Sequence, residues 1–166
     1  MKIYDNVLDK TTIDALFLET RKSQDKDVWR FSTLFWTPDI QVGAMAATAC
    51  KVVSEELAPI IEQQIKHLLP PYESLLQQIY LWPRGASISR HDDAHCKWGA
   101  TIYLNTSWDI DNGGLFVWQD KESAEWKVRI PEFNTLVVND NKEPHLVTPV
   151  AYTSMDMRHT VQIWGL

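Results

Sequence analysis

The spacing of hydrophobic and polar residues changes near residue 70, and the change divides the chain into two parts. Upstream, apolar residues recur at helical intervals, and Thr11 or Thr12 can cap a helix that runs to about Arg21. Residues 44–69 have a helical composition, and Pro59 is expected to divide them into two helices because proline interrupts the helical hydrogen-bond ladder. The first 70 residues are therefore predicted to be mainly helical.

After Pro70 and Pro71 the pattern becomes one of short strands separated by turn residues. The candidate strands are residues 75–81, 86–90, 99–105, 114–118, 126–130, 135–139, 145–148 and 158–164. Roughly eight short strands at even spacing indicate an all-β sandwich or barrel. We therefore expect a single domain over residues 1–166 of mainly β (α+β) class. In it, a jelly roll over residues 71–166 is supported by helices from residues 1–70.

An aromatic stretch over residues 28–36 is predicted to be a strand or an ordered loop. Two interpretations of its rings remain open. They pack as core between the helices and the sheet, or residues 23–43 form a lid over a pocket, because loops over a barrel mouth commonly supply specificity.

Composition narrows the range of functions. The chain has eight Trp, five Phe and five Tyr, so an interior or a pocket must be rich in aromatic rings. A net charge of −6 gives no basic surface for nucleic acid. No apolar run approaches the roughly 18 residues needed to span a bilayer, and no signal peptide is apparent. We expect a cytoplasmic protein that binds neither nucleic acid nor membrane, with Cys50 and Cys96 as free thiols or as one disulfide.

Three residues have the pattern of a metal site. His91 and Asp93 lie two apart, so they point to the same side if they end a strand, and His145 opens a later predicted strand. Two histidines and one carboxylate form the facial triad that binds Fe(II) and leaves positions open on the metal. A zinc site using His91, His95 and Cys96 is the alternative, although His-x-x-x-His requires a helix that this stretch does not favour.

The last predicted strand contains a candidate anion receptor. Alternation places Arg158, Thr160, Gln162 and Trp164 on one face of this strand. An inward-facing arginine is costly unless it meets an anion, and a carboxylate can accept two hydrogen bonds from it. Arg158 and Thr160 therefore suggest a carboxylate receptor, the alternatives being an internal salt bridge or a solvent-facing arginine. Gln162 contacts a ligand there or makes a hydrogen bond within the core.

A series of short motifs follows one order from about Tyr80 to the C-terminus. They are Trp82-Pro83-Arg84-Gly85, His91-Asp92-Asp93, Tyr103-Leu104-Asn105 followed by Trp108, Asn112-Gly113-Gly114-Leu115-Phe116, Pro131-Glu132-Phe133-Asn134, His145-Leu146-Val147-Thr148-Pro149-Val150 and Arg158-His159-Thr160. In this order the motifs resemble the Fe(II)/2-oxoglutarate-dependent oxygenases, specifically their prolyl-hydroxylase-like branch. The resemblance implies a double-stranded β-helix, which is the jelly roll or cupin-like barrel.

The resemblance also implies roles for residues. It implies that Fe(II) is held by His91, Asp93 and His145, and that the distal carboxylate of 2-oxoglutarate is held by Arg158, Thr160 and Tyr103. Such an enzyme uses O2 to convert 2-oxoglutarate to succinate and CO2 while it hydroxylates a C–H bond. The presence of a carboxylate at residue 93 disfavours a halogenase, in which halide needs that position.

The chain departs from the branch in two ways. His145 and Arg158 are 13 residues apart where the branch has about nine or ten, which predicts a longer hairpin around residues 152–156. A tyrosine common just before the metal strand is replaced, with Trp82 near one such position and Ile88 at another. Substrate preference is therefore expected to differ from peptidyl proline.

The substrate implied by the resemblance is amino-acid-like or peptidyl, of prolyl type. Substrate contacts are predicted at Trp36, Trp164 and Arg90, and Arg30 and Arg84 are further candidates for an anionic substrate. The alternative function is a non-catalytic sensor domain that binds metal or 2-oxoglutarate on the same barrel.

Overall fold

The computed structural model describes residues 1–21 and 29–166, which form two antiparallel sheets and two α-helices. The helices are α1 (Lys10–Arg21) and α2 (Ala58–Ile65). The strands are β1 (Lys2–Asp5), β2 (Arg30–Phe31), β3 (Ala49–Val52), β4 (Leu75–Trp82), β5 (Ile88–His91), β6 (Trp98–Tyr103), β7 (Phe116–Gln119), β8 (Trp126–Arg129), β9 (Thr135–Asn139), β10 (His145–Val147) and β11 (Arg158–Gly165). In the described residues no helix is long and apolar enough to cross a membrane.

A seven-stranded sheet forms the centre of the protein, with the strand order β1-β9-β6-β11-β4-β3-β2. Its two longest strands, β4 and β11, pair along their full length from Trp82–Arg158 to Leu75–Gly165. Successive side chains of a strand point to opposite faces, and here both faces are buried. One face carries Ile79, Val161 and Ile163, which are fully buried in a cluster that includes residues of both helices.

The opposite face of the large sheet packs on a four-stranded sheet with the order β5-β10-β7-β8. Tyr80, Trp82 and Tyr103 of the large sheet share this second buried cluster with Phe116 and Trp118 of the small one. The prediction of a mainly β protein with a jelly-roll core is confirmed. Both faces of the central strands are buried. A polar residue on the inner face is therefore stable only where a ligand or another residue forms hydrogen bonds with it.

All eight strands predicted after residue 70 are present, with boundaries that differ by at most a few residues. The exact match is β9 over Thr135–Asn139, and β11 is one residue longer than predicted. These strands were predictable because short runs of β-branched and aromatic residues are bounded by turn residues.

The prediction of two helices over residues 44–69 is wrong in its first half. Residues 49–52 form β3, which pairs with β4, so tertiary pairing overrides the helical composition of this short segment. Pro59 lies in the first turn of α2 and does not divide two helices. A proline is tolerated there because the first-turn N–H groups have no helical acceptor.

Two further details of the N-terminal part were not predicted correctly. Helix α1 is capped by Asp9, whose Oδ1 accepts a hydrogen bond from the backbone N–H of Thr12 at 2.8 Å, and not by Thr11 or Thr12. Strand β1 was not predicted at all. It is a four-residue edge strand that pairs with β9, at least 130 residues away, and its alternating pattern is too short to be recognised in the sequence.

The aromatic segment is only partly a strand. Arg30 and Phe31 form β2, and residues 32–34 and 38–41 form short 3₁₀ turns. Residue 28 and part of the predicted lid over residues 23–43 lie outside the described residues, so the lid stays a prediction.

His159 couples the stability of the fold to pH. Its ring lies 6.4 Å from that of Phe17 in α1, and burial lowers its pKa from the ordinary value of 6.5. The unfolded chain binds a proton at His159 more readily than the folded protein does. The contribution of neutral His159 to the free energy of unfolding is therefore present above about pH 6.5 and is lost as the pH falls.

We expect the unfolding free energy of His159→Phe, measured in urea, to fall less than that of the wild type between pH 7.5 and 5.5. Identical pH slopes would contradict this.

Candidate metal centre and anion pocket

Two strands and one loop bring three potential ligands together. His91 ends β5 and His145 begins β10, and these two residues are direct partners in the small sheet. Their rings lie 4.2 Å apart. Asp93 follows two residues after β5, with Oδ1 at 3.6 Å from Nε2 of His91 and Oδ2 at 3.5 Å from Nε2 of His145. One donor atom from each side chain therefore lies within 4.8 Å of the others.

The hydrogen bonds of both rings leave the correct nitrogen free for a metal. Nδ1 of His91 lies 2.9 Å from the carbonyl oxygen of Ser89, and Nδ1 of His145 lies 2.9 Å from that of Glu143. A carbonyl can only accept, so each Nδ1 donates its proton and each Nε2 keeps its lone pair towards Asp93. Burial and the nearby His91 also lower the pKa of His145, which favours the neutral, ligating form.

Asp93 has a strained backbone, and a glycine makes room for its carboxylate. The φ angle of Asp93 is 54°, in the left-handed region that few residues other than glycine adopt. A Cβ at Gly99 in β6 would lie 2.6 Å from Oδ2 of Asp93, closer than atoms can pack. Gly99 is thus a site residue that the sequence analysis missed. Its role is to have no side chain opposite Asp93, which lies in another part of the chain, and a sequence pattern does not reveal such a role.

We expect Gly99→Ala to displace the Asp93 carboxylate and weaken metal binding about 10- to 100-fold, the range typical of changes around a ligand. Isothermal titration with Co(II) measures the loss. The control is Gly43→Ala, because a Cβ at Gly43 would contact nothing within 4 Å. The φ of Gly43 is 80°, so this substitution strains the backbone locally without crowding any side chain. Equal Co(II) affinity in Gly99→Ala and the wild type would contradict the prediction.

The zinc alternative is not supported. Among the described residues, the single group of three His, Cys, Asp or Glu side chains close enough to hold an ion is His91, Asp93 and His145. Residues 92–97 contain no helix, so His91 and His95 do not share a helical face. Cys96 donates through Sγ to the Asp93 carbonyl at 3.2 Å, and both cysteines are free thiols.

Arg158 is the candidate anion-binding residue, and it lies on the inner face of β11. It is completely buried, yet its Nε, Nη1 and Nη2 have no hydrogen-bond partner and it makes no ion pair with any described residue. Its Cζ lies 5.0 Å from the ring centre of Trp82 and 5.2 Å from that of Tyr103. Burial lowers the pKa of Arg158, but a guanidinium stays charged at any ordinary pH. A buried, unpaired cation of this kind requires an anion.

Tyr103 and Thr160 are adjacent to this cation. They are direct partners across β6 and β11, and both are fully buried. The hydroxyl of Tyr103 makes no hydrogen bond within normal distance to any described residue, and burial raises its pKa more than the nearby Arg158 lowers it, so it remains a protonated donor. Thr160 accepts a hydrogen bond from Nε1 of Trp82 at 3.2 Å, which leaves its own hydroxyl proton free to donate.

One cavity is lined by both the candidate ligands and Arg158. Thr160 and Tyr103 are not part of its lining. The wall is formed by Trp36, Tyr80, Trp82, Ile88, His91, Asp93, Gly99, Ala100, Thr101, Phe116, Val137, Asn139, His145, Val147, Arg158, Gln162 and Trp164. The aromatic rings in this wall account for part of the high tryptophan content.

Trp36 and Trp164 line the cavity and also a larger groove outside it. Trp36 stacks on Tyr80 with ring centres 6.1 Å apart, and Tyr80 contacts Trp164 edge to face, also at 6.1 Å. Tyr80 was not predicted as a site residue. It joins the two tryptophans into one wall, and burial raises its pKa, so it stays a neutral phenol.

The three candidate arginines differ in position. Arg90 borders the groove, but its guanidinium carbon lies 5.8 Å from the ring centre of Trp126 in β8. Arg30 lines the same groove. Arg84 instead donates from Nε to the carbonyl of Ser154 at 2.7 Å. This hydrogen bond holds in place the longer hairpin around residues 152–156, which precedes β11.

Gln162 makes the core hydrogen bond that was one of its two predicted roles. Oγ1 of Thr101 donates to Oε1 of Gln162 at 2.6 Å, and these residues are partners across β6 and β11. Gln162 nevertheless lines the cavity, so its amide group borders any ligand bound there.

The chain is similar in sequence to one described protein family. Residues 77–165, just over half of the chain, match the sequence model of a family described as the 2OG-Fe(II) oxygenase superfamily. The matched segment contains every candidate ligand and the anion pocket. A search of curated proteins finds no match.

Solved structures with the same fold include three prolyl hydroxylases. A prolyl-4-hydroxylase from Pseudomonas putida has a TM-score of 0.72 at 18% identity and covers 99% of this chain and 91% of its own. A Trichoplax adhaerens prolyl hydroxylase, solved with a hypoxia inducible factor oxygen degradation domain peptide fragment, has a TM-score of 0.74 at 17% identity over 99% and 82%. A viral collagen prolyl hydroxylase from Paramecium Bursaria Chlorella virus-1, solved with 2OG, has a TM-score of 0.63 at 13% identity over 98% and 93%. At these identities the likeness establishes the fold.

Proposed function

Because the chain belongs to the 2OG-Fe(II) oxygenase superfamily and is therefore an Fe(II)- and 2-oxoglutarate-dependent dioxygenase, we propose that it hydroxylates a C–H bond of an amino-acid-like or peptidyl substrate, of prolyl type. The observation that carries the proposal is the pairing, in one cavity, of a ligand triad with a buried and unpartnered guanidinium.

The triad fits iron by its chemistry. Two neutral imidazoles and one carboxylate are the ligand set of the non-haem Fe(II) oxygenases, and the free Nε2 atoms and the carboxylate face one point. His91, Asp93 and His145 would therefore hold the ion. When bound there with 2-oxoglutarate, it supplies the oxidation by O2 that yields succinate, CO2 and a hydroxylated substrate.

The anion pocket fits the distal carboxylate of 2-oxoglutarate. Arg158 offers several N–H donors, and the hydroxyl groups of Tyr103 and Thr160 lie beside it as further donors. A carboxylate there would satisfy groups that are otherwise buried without partners, which is how a low-dielectric site becomes selective for an anion. These residues bind and orient the co-substrate and take no part in proton transfer.

The wall of the cavity keeps water away from the reacting atoms. Trp36, Tyr80, Trp82, Phe116 and Trp164 surround the site with rings, and exclusion of water protects a strong oxidant from side reactions. Trp36 and Trp164 continue into the groove, where we propose that the substrate binds with its reacting carbon towards His91 and Asp93. The predicted contact of Arg90 with substrate remains a prediction.

The names of the structural neighbours support a prolyl-type substrate, since prolyl hydroxylases from a bacterium, an animal and a virus share the fold. The groove outside the cavity has a volume of about 700 Å³ and is open to solvent, so it has room for a short peptide as well as for a free amino acid.

Succinate release tests the proposal. The purified protein with Fe(II), 2-oxoglutarate and O2 is offered free amino acids and proline-containing peptides, and product masses are measured. We expect at least one substrate to stimulate succinate formation and to gain one oxygen atom. Trp164→Ala should raise KM for that substrate, whereas Phe133→Ala, an exposed ring outside the cavity and the groove, should not. Binding of 2-oxoglutarate without turnover on any substrate would instead indicate a sensor.

A further inference from the structure

We propose that Asn139 is a positioning residue for the metal centre, which holds the imidazole of His145 in the orientation and tautomer that a metal requires. The inference rests on the proposed function in one respect, that His145 is a metal ligand. It assigns a role to a buried amide in the cavity wall that is neither one of the three candidate iron ligands nor one of the candidate carboxylate-binding residues.

The amide of Asn139 clamps the backbone of one residue. Its Oδ1 accepts from the N–H of Glu143 at 2.8 Å, and its Nδ2 donates to the carbonyl of Glu143 at 3.0 Å. The clamp closes the turn between β9 and β10, in which Lys142 has a φ of 51°. Asn139 is the last residue of β9 and is 5% exposed, so these hydrogen bonds are shielded from water.

The clamped carbonyl is the one that His145 uses. Nδ1 of His145 lies 2.9 Å from the oxygen of Glu143, and its second neighbour among the residues that the structure describes, at 3.2 Å, is the NH2 group of Asn139, which is a donor and not an acceptor. Two donors beside one another, Nδ2 of Asn139 and Nδ1 of His145, therefore share one acceptor. The position of that oxygen sets both the rotation of the ring and the location of its proton.

The tautomer of His145 determines whether its Nε2 can bind a metal. Neutral histidine has one protonated nitrogen, and only the Nδ1–H form leaves Nε2, the atom 3.5 Å from Asp93, able to coordinate. If the Glu143 carbonyl moves, the proton is free to shift to Nε2 and the ring is free to turn. Asn139 also pairs across the sheet with Gly99, the residue that makes room for Asp93. One cross-strand pair of the large sheet thus supports two of the three ligands.

The chain contains a matched control. Asn134 is also 5% exposed and clamps one residue in the same way: Oδ1 accepts from the N–H of Leu8 at 2.9 Å, and Nδ2 donates to the carbonyl of Leu8 at 2.8 Å. It lies outside the wall of the metal cavity. Asn139→Ala and Asn134→Ala each remove the clamp without adding charge. In Asn139→Asp a carboxylate oxygen replaces the NH2 group that lies 3.2 Å from Nδ1 of His145, so this variant breaks the clamp but offers Nδ1–H a new acceptor.

The experiment measures the tautomer in the metal-free protein and then the affinity for Co(II). Nitrogen-15 NMR of the imidazole, at a pH where it is neutral, should show His145 as the Nδ1–H form in the wild type, in Asn134→Ala and in Asn139→Asp. We expect the Nε2–H form to appear in Asn139→Ala. Co(II) affinity should fall about 10- to 100-fold in Asn139→Ala and stay within about twofold of the wild type in Asn134→Ala.

The outcomes separate the two proposals. An unchanged His145 tautomer in Asn139→Ala, or a loss of Co(II) affinity no larger than that of Asn134→Ala, would overturn the positioning role. Failure of the wild type to bind Co(II) through His145 would overturn the proposed function, and the NMR result on the metal-free protein would still decide whether Asn139 sets the tautomer.

Discussion

Arg158→Met is expected to abolish 2-oxoglutarate binding while leaving the metal-free protein folded and at least as stable as the wild type. The guanidinium is completely buried and has no partner, so in the absence of an anion it contributes desolvation cost without compensating hydrogen bonds. Methionine fills a similar volume without a charge, and replacing buried charges by apolar residues is often neutral or stabilising by about 1–4 kcal/mol. Loss of a buried side chain ordinarily lowers the free energy of unfolding. An unchanged or higher free energy of unfolding is therefore a result specific to this site.

Thermal unfolding with and without 2-oxoglutarate measures both effects. At a concentration 100 times its Kd, 2-oxoglutarate should stabilise the wild type by about 2.7 kcal/mol and the variant not at all. Arg129→Met is the matched control, because Arg129 is ion-paired with Asp5 and Glu132. Its loss should leave the 2-oxoglutarate effect intact. A large destabilisation of metal-free Arg158→Met, or retained co-substrate binding by it, would show that Arg158 has a different partner.

Removing a metal ligand is expected to lower kcat/KM for the hydroxylation by at least about 1,000-fold, equivalent to about 4 kcal/mol of transition-state stabilisation. His145→Ala removes a buried imidazole, and Asp93→Gly removes the carboxylate while suiting the positive φ at that position. Asp93→Gly is therefore the cleaner variant, since its effect on activity is not mixed with backbone strain.

Succinate release and Co(II) titration should change together in these variants. His67→Ala, an exposed histidine in the 3₁₀ turn after α2, is the control that should leave both unchanged. Turnover that survives in Asp93→Gly with full metal affinity would mean that the ion is held elsewhere, and the triad would then be a structural cluster.

The features of the fold and the site that were hard to predict depend on contacts between residues far apart in the chain. Gly99 and Asn139 carry no chemical signature, because one acts through a missing side chain and the other through the backbone of Glu143. Strand β3 was misread as helix because its four residues have little β-propensity of their own and depend on pairing with β4. Tyr80 was overlooked since an aromatic residue in a strand is usually core, and only the sheet pairing places it between Trp36 and Trp164.

By itself the sequence determined the mainly β class, the strands after residue 70, the three candidate ligands and the inward-facing arginine of the last strand. It could do so because alternation, turn residues and residue chemistry are local properties. Tertiary structure alone decided that His91, Asp93 and His145 meet, that Arg158 has no hydrogen-bond partner among the described residues, and that Arg84 holds the residues before β11 through Ser154. These depend on distances between residues far apart in the chain, and those distances exist only once the two sheets have packed.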